Sequence, residues 1–386
     1  MLARIKYLTS GESHGQGLLG ILDGIPAGLH ISEAEIQTEL ARRQKGHGRG
    51  GRMKIEKDFA QIWGGVRHGK TLGSPVGLLI ENKDWKNWTK KMSVAPVADK
   101  VKTVTLPRPG HADLAGLQKF GETDIRNILE RASARETAMR VALATICRKF
   151  LSEIGITIGS HVTQISTVKN EIKLPSDLTP EKLNEKADRS SVRCLDKTAE
   201  NKMIAEIDKA KKDGDSVGGV FEIIAAGLPY GLGSHTQWDK KLHARLAESI
   251  MSVNAFKGIE IGSGFEQAHK QGSDVHDEIG WDGEKFIRHS NNAGGIEGGM
   301  SNAQPLIIRA VMKPIPTLIK PLRSIDYLSK EEKLAHKERT DSCSVPAASV
   351  VAESMVCFVL ADAVLEKFGG DSMAQLKVHL NLSGKY

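Results

Sequence analysis

The 386-residue chain has only four cysteines, Cys147, Cys194, Cys343 and Cys357, and none forms a C-x-x-C pair. This argues against a disulfide framework and against the common zinc spacings, and for reduced, buried thiols in a cytoplasmic protein. Aromatic residues are 5% of the chain, too few to interleave with basic residues as base-stacking platforms do. No uninterrupted apolar run is long enough to span a bilayer, and Met1-Leu2-Ala3-Arg4-Ile5-Lys6 runs directly into a strand-like segment. Neither a membrane span nor a signal peptide is therefore expected. The glycine-rich loop Asn291 to Asn302 lacks G-K-[ST], so it is no Walker A site, and no metal motif is visible.

Hydrophobic residues make up 40% and charged residues 26%, the balance of a globular protein with ample core. The net charge of +7 favours anionic partners: nucleic acid, acidic lipid or phosphorylated small molecules. The first half reads as strands at Lys6–Thr9 and Leu18–Leu22, a turn at Asp23–Gly28, and a helix from the Ser32/Glu35 capping box to about Arg43. Gly46 suits the position just past its end. A strand follows at Ser74–Ile80, then a long helix from Asp124 to Phe150. The second half echoes this. Ala226-Gly227-Leu228-Pro229-Tyr230-Gly231 repeats the Asp23–Gly28 turn, Trp238–Met251 supplies a helix after it, and Pro346–Phe368 matches the long helix. A repeat of this length suggests two similar halves, about 1–165 and 216–370, around a pseudo-twofold axis. Between them, about 168–215 is rich in Lys, Glu and Asp, carries a helical pattern at Glu200–Lys212, and reads as a solvated connecting excursion.

Gly11-Glu12-Ser13-His14-Gly15 fits G-x-S-x-G, the hydrolase nucleophile elbow. An elbow needs a helix directly after its serine, and Gln16 to Gly24 reads as a strand, so His14 becomes the residue to explain. The basic loop Arg42 to Arg52 resembles an RNA-binding Arg-Gly tract, yet it is single and lies between ordered elements. Backbone N–H groups and guanidinium forks offered to phosphate account for it better. Leu106-Pro107-Arg108-Pro109-Gly110-His111-Ala112-Asp113 holds a second histidine in a stiff loop beside an arginine. Arg131 and Arg135 lie four apart and would share a helical face, with the small residues Ala132, Ser133 and Ala134 between them. Arg339-Thr340-Asp341-Ser342 precedes the last long helix, where Asp341 suits either base or capping work. Two loop histidines, an aspartate and scattered arginines describe a site that binds a phosphorylated substrate and moves protons, with phosphate as a leaving group.

Taken together, these segments resemble the chorismate synthase family. Gly11 to Gly28, Glu130 to Ala144 and Arg339 to Met355 are similar to its signatures. The RRQ-x-G-x-GRGGRM and RPGHAD loops, Asn254-Ala255-Phe256-Lys257-Gly258 and Lys313-Pro314-Ile315-Pro316-Thr317 agree in family order. The resemblance implies an α+β fold: a β-α-β sandwich with central helices between antiparallel sheets, internally duplicated and assembled as a homotetramer. It implies a carbon-oxygen lyase of the shikimate pathway of aromatic amino acid biosynthesis. Its reaction would be the anti-1,4-elimination of phosphate from 5-enolpyruvylshikimate 3-phosphate to chorismate, with reduced FMN lending an electron and recovering it. By matching position, His14 would be the general acid near the departing phosphate. His111 would protonate or hydrogen-bond the flavin, and Asp341 would be the base, acting through the flavin N5. Arg43, Arg49, Arg108 and Arg135 would hold the substrate's phosphate and carboxylates, with Arg43 and Arg49 alternatively on NADP. Arg131, Ala132, Ser133, Asn254, Ala255, Gly298, Lys313, Pro314, Ile315, Pro316, Thr317 and Arg339 would line the FMN site. No reductase domain is visible, so an external flavin reductase is expected, with NADPH as an indirect electron source. No nucleic acid and no membrane enter this reading. Asn302-Ala303 departs from the Gly or Thr-Gly pair of many relatives.

Overall fold

The computed structural model describes residues 2–51, 57–98, 101–175, 177–338 and 340–383. Arg339, the Arg52-Met53 end of the basic loop and the last three residues lie outside these. The expected first strand is β1 (Lys6–Ser10), and Gly17–Asp23 forms β2, with Leu18 and Leu22 inward and Leu19 and Ile21 outward. Helix α1 (Glu33–Gln44) starts at the Ser32/Glu35 capping box, in which both reciprocal hydrogen bonds form, and Gly46 follows it at φ +130°. Strands β3 (Ala60–Gly64) and β4 (Val76–Glu81) complete a four-stranded antiparallel sheet in the order β1-β2-β4-β3. Helices α2 (Asp113–Phe120) and α3 (Thr137–Ser152) close the first half.

The second half repeats the plan. Strand β5 (Thr157–Ile165) continues through a tight turn into the short β6 (Val168–Lys169). Helices α4 (Pro180–Ala187) and α5 (Lys197–Asp213) follow, then β7 (Gly219–Ala226), α6 (Leu242–Met251), β8 (Phe256–Ile261) and β9 (Leu306–Met312). Its sheet runs β8-β9-β7-β5-β6 and is antiparallel throughout. Without β6, the first, second, fourth and third strands of each half stand side by side in that order. In each half a helix joins the second strand to the third. The echoed turns are equivalent in space: Gly24 (φ +95°) ends β2 and Gly227 (φ +79°) ends β7. A Cβ on either would collide with a carbonyl oxygen just before the paired strand, that of Arg4 or Gly155. Both positions therefore demand glycine.

Helix α7 (Val345–Phe368) begins at Ser344 with Pro346 in its first turn, and α8 (Met373–Leu382) packs beside its end. Helix α3 lies on β1, β2 and β4, α7 lies on β5 and β7, and the two helices pack on each other. The result is the expected β-α-β sandwich. By length and composition α7 could cross a membrane, but the whole of its apolar stretch is buried between the sheets.

Two elements differ from expectation. The long helix begins at Thr137, not Asp124: Arg126–Leu129 is one helical turn and Ala134–Glu136 a separate 3-10 turn. Carbonyls that would continue the helix are taken by distant donors, Ala132 by Asn254 Nδ2 (2.8 Å) and Ala134 by Arg43 Nη2 (2.8 Å). Arg131 and Arg135 consequently share no helical face. Arg131 turns to the Thr9 and Gly11 carbonyls, and Arg135 to Asn82 and Asp58. The charged stretch after Val168 is solvated on one side only. Leu183, Val192, Met203 and Ile207 join the main core, or lie buried beneath it.

That stretch also sends Arg193 to the middle of the sandwich. Glu353, fully buried on α7, receives Arg42 from α1 (3.0 and 3.1 Å), Arg148 from α3 (2.6 Å) and Arg193 (3.2 Å). Glu39 and Asp188 balance the extra guanidinium charges. Burial alone would raise the Glu353 pKa, but the three guanidiniums outweigh it and hold the carboxyl at about 2. Glu353→Ala should lower stability by about 3–5 kcal/mol at neutral pH, because it strands buried cations. A depressed carboxylate stabilises above its unfolded value of about 4.3 and stops doing so as pH falls toward 2. Urea midpoints of the two proteins should therefore converge in acid.

Candidate active site

His14 sits in the turn between β1 and β2, and Glu130 holds this turn through its carbonyl and its carboxylate. The Ser13 N–H donates to the Glu130 carbonyl (3.0 Å) and the His14 N–H to Glu130 Oε2 (2.8 Å). His14 Nδ1 meets the same carboxylate at 2.9 Å and 3.1 Å. Burial would raise the Glu130 pKa, yet the hydrogen bonds and charge of His14, with Arg126 behind, pull it below the usual carboxylate range. With Nδ1 engaged by an anion, proton exchange with a ligand has to run through Nε2. Ser13 is followed by a strand, as expected, so the turn is not a nucleophile elbow.

His111 is held in the same way. Its Nδ1 meets Asp113 Oδ1 at 2.5 Å, and Asp113 also accepts from Arg108 through Nε (2.8 Å), Nη2 (3.0 Å) and the backbone N–H (2.9 Å). Burial opposes ionisation of Asp113, but the hydrogen bonds from His111 and Arg108 win and hold it far below the ordinary value. Arg108 Nη1 reaches Thr317 Oγ1 (2.9 Å), and Lys313 Nζ donates to the Gly110 carbonyl (2.6 Å). The Lys313 N–H donates to the carbonyl of Ala255 (2.9 Å), a residue at φ +70°. That conformation is costly for alanine and is fixed by its surroundings. The Arg108–His111 loop, Lys313–Thr317, Asn254-Ala255 and Ala132–Ala134 thus brace one another.

Asp341 accepts from the Gly50 N–H (2.6 Å) and Ser344 Oγ (2.6 Å) and lies 3.2 Å from Arg49 Nη1. The cap of α7 is Ser344, so Asp341 does not occupy the capping position. Arg43 spends Nε and Nη2 on Thr137 Oγ1 and the Ala134 carbonyl. Its Nη1 is buried without a hydrogen bond, 3.6 Å from Asp58. Burial, together with the Arg49 and Arg135 charges and against Asp58, brings the Arg43 pKa down to about 10. Arg43 remains a cation at neutral pH.

All these groups surround one cavity of about 730 Å³, in the upper half of the range that encloses drug-sized ligands. His14, His111, Asp341, Arg43, Arg49, Arg108 and Arg135 line it, as do Ala132, Ser133, Asn254, Ala255, Lys313, Ile315, Pro316 and Thr317. Arg131, Pro314 and Gly298 are not on its wall. Arg131 faces Thr9, and Gly298 forms the tip of a short hairpin, Ile296–Glu297 with Met300–Ser301. Sequence reasoning took Glu130 only as a counter-charge to the neighbouring arginines and gave no role to Asp113, Asp58, Asn82 or Trp88. Only Asp113, two residues from His111, carried a usable signal; the others come from distant segments.

A family model described as chorismate synthase matches residues 5–365. The chain belongs to the chorismate synthase family. It is 56% identical over 383 residues to the chorismate synthase of Aquifex aeolicus, covering 97% of this chain and 96% of that one. It is 54% identical over 380 residues to that of Listeria welshimeri, covering 97% of both. A crystal structure of chorismate synthase superposes with a TM-score of 0.80 at 44% identity, covering 99% of this chain and 98% of that one. Membership makes the chain a carbon–oxygen lyase. Ala303 adopts φ +66°, a left-handed conformation that favours glycine.

Asp113 fixes two cavity groups at once. Asp113→Ala should lower turnover by about 10–100-fold, the loss of one or two charge-assisted hydrogen bonds. Steady-state phosphate release measures this, and unchanged turnover would remove Asp113 from the site.

Proposed function

We propose that the cavity binds 5-enolpyruvylshikimate 3-phosphate beside reduced FMN and eliminates phosphate by an anti-1,4 route to give chorismate, in the shikimate pathway. One observation carries this reading: two carboxylate-held imidazoles, Asp341 and four arginines from separate segments face one cavity. A multiply anionic substrate that loses phosphate requires that combination.

The wall suits a flavin as well. Ala132, Ser133, Ala134, Ala347 and Ala348 keep it low, and Met251, Met312 and Pro316 give it apolar surface. Arg43 Nη1, buried and 3.6 Å from Asp58, makes no hydrogen bond and keeps donor capacity on the cavity side. Ala132, Ser133, Asn254, Ala255 and Lys313 to Thr317 would hold FMN, with Arg131, Gly298 and Arg339 as further candidates. When bound and reduced, FMN would lend electron density to the substrate transiently, a chemistry with no net redox change.

The chain's own residues do the rest. Arg43, Arg49, Arg108 and Arg135 hold the phosphate and carboxylates and stabilise the charge that grows as the C–O bond breaks. His14, oriented by Glu130, delivers a proton toward the departing phosphate through Nε2. His111, oriented by Asp113, places its proton against the flavin. Asp341 takes up the proton lost from the ring. FMN would be reduced by an external flavin reductase, with NADPH as the indirect electron source and Arg43 and Arg49 as an alternative NADP contact. The enzyme would be cytoplasmic and a homotetramer. The first sheet supports assembly, since Leu8, Leu19 and Ile21 are exposed on the adjacent strands β1 and β2 and Trp63 on its other edge strand, β3.

Anaerobic assay of phosphate release from 5-enolpyruvylshikimate 3-phosphate tests the reading. Turnover should appear with dithionite-reduced FMN and vanish with oxidised FMN; equal rates in both would sink it. His14→Ala and His111→Ala should each lower turnover by about 10²–10⁴-fold, the scale of a lost acid–base group. Asp341→Asn should keep flavin binding, followed by fluorescence quenching, while losing turnover. Loss of folding instead would assign Asp341 a structural role.

A further inference from the structure

The residues immediately after β4 surround His14, and no role has been given to them so far. Asn82 is buried, and its Nδ2 donates to the carbonyls of Glu12 (3.2 Å) and Gly15 (2.8 Å), the two residues that flank Ser13-His14. Its backbone N–H donates to the Gln16 carbonyl (3.0 Å), and its Oδ1 accepts from Arg135 Nε (3.0 Å) and Nη2 (2.9 Å). One side chain therefore fastens the His14 turn to a cavity arginine. Six residues on, the Trp88 indole stacks on the His14 imidazole, with ring centroids 3.9 Å apart and planes 26° apart. Asp84, also buried, accepts from Trp88 Nε1 (3.2 Å) and Asn87 Nδ2 (2.7 Å) and so fixes the indole. The Arg126 guanidinium lies 5.1 Å from the indole and the Lys91 ammonium 5.0 Å, and Arg126 also grips Glu130 at 2.6 Å.

We propose that Asn82, Asp84 and Trp88 form a positioning clamp for His14, in which Asn82 fixes the turn and Trp88 fixes the ring. Glu130 engages the imidazole at Nδ1, and the stacked indole adds a restraint on the ring plane and covers one of its faces. Trp88 lines the cavity but brings no charge to it, so its effect falls on the placement of the proton donor, where an error of about 1 Å can cost about 10²-fold in rate. The inference rests on the reading of His14 as that donor.

Trp88→Leu should lower kcat by about 10–100-fold with KM for 5-enolpyruvylshikimate 3-phosphate changed by less than about 3-fold. Trp88→Phe, which keeps a stacking ring, should restore most of the loss. In a His14→Ala background Trp88→Leu should cause no further loss. A second readout is independent of turnover: carbethoxylation of His14 by diethyl pyrocarbonate, followed by mass spectrometry. It should speed up in Trp88→Leu and in Asn82→Asp, an isosteric change that turns two donated hydrogen bonds into repulsion. Asn82→Asp also carries the test if Trp88→Leu does not fold. Equal losses in Trp88→Leu and Trp88→Phe, an undiminished effect in the His14→Ala background, or unchanged His14 modification in both variants would overturn the clamp. Full turnover of His14→Ala alone would instead overturn the proton-donor role, and the modification rates would still decide whether the clamp exists.

Discussion

A carboxylate at the centre of a helix sandwich is tolerable only when cations surround it, and Glu353 sets that requirement for the whole molecule. Its three guanidiniums arrive from α1, α3 and the stretch before β7, and Glu353 itself belongs to α7. The two central helices, the helix that carries the basic loop and the charged excursion are therefore locked to one point. The consequence reaches the cavity through a single peptide bond. Arg42 enters the buried network while its neighbour Arg43 enters the cavity wall. The position of a cavity-lining arginine is thus set by an ion cluster that lies outside the cavity wall.

The duplication explains why a charged stretch interrupts the second half. The two halves share strand order and helix placement, so the connection between their first two strands should correspond. In the first half that connection is the Gly11–Gln16 turn bearing His14. In the second it is everything between β5 and β7, including α4, α5 and Arg193. The same topological position places a histidine on the cavity wall once and supplies a cation to the core once. The cavity is correspondingly asymmetric. Both imidazoles come from the first half, and Asp341 with the Asn254-Ala255 and Lys313–Thr317 walls comes from the second.

How legible this was in the sequence depended on the range of the interactions. The α1 capping box, the proline at the start of α7 and the echoed turns are local devices, and each appears where its residues place it. The Asp124–Thr137 region failed because its helical pattern is overridden by Arg43 and Asn254, donors roughly a hundred residues away. Ala255 and Ala303 hold positive φ angles that alanine does not advertise. The partners of the two histidines divide along the same line. Asp113 lies two residues from His111, whereas Glu130 is 116 residues from His14 and belongs to a motif in which it reads as a counter-charge to its own arginines.

The four cavity arginines are not equivalent once their partners are counted. Arg108 commits three nitrogens to Asp113 and Thr317, and Arg135 commits three to Asn82 and Asp58. Both contribute charge and rigidity more than open donors. Arg43 retains a buried Nη1 with no hydrogen bond, and Arg49 meets Asp341 at 3.2 Å across the cavity's edge. Asp58, Asp113, Asp341 and Glu338 stand among the guanidiniums. The cations are therefore compensated before any ligand arrives, and the cavity does not have to be assembled against strong self-repulsion.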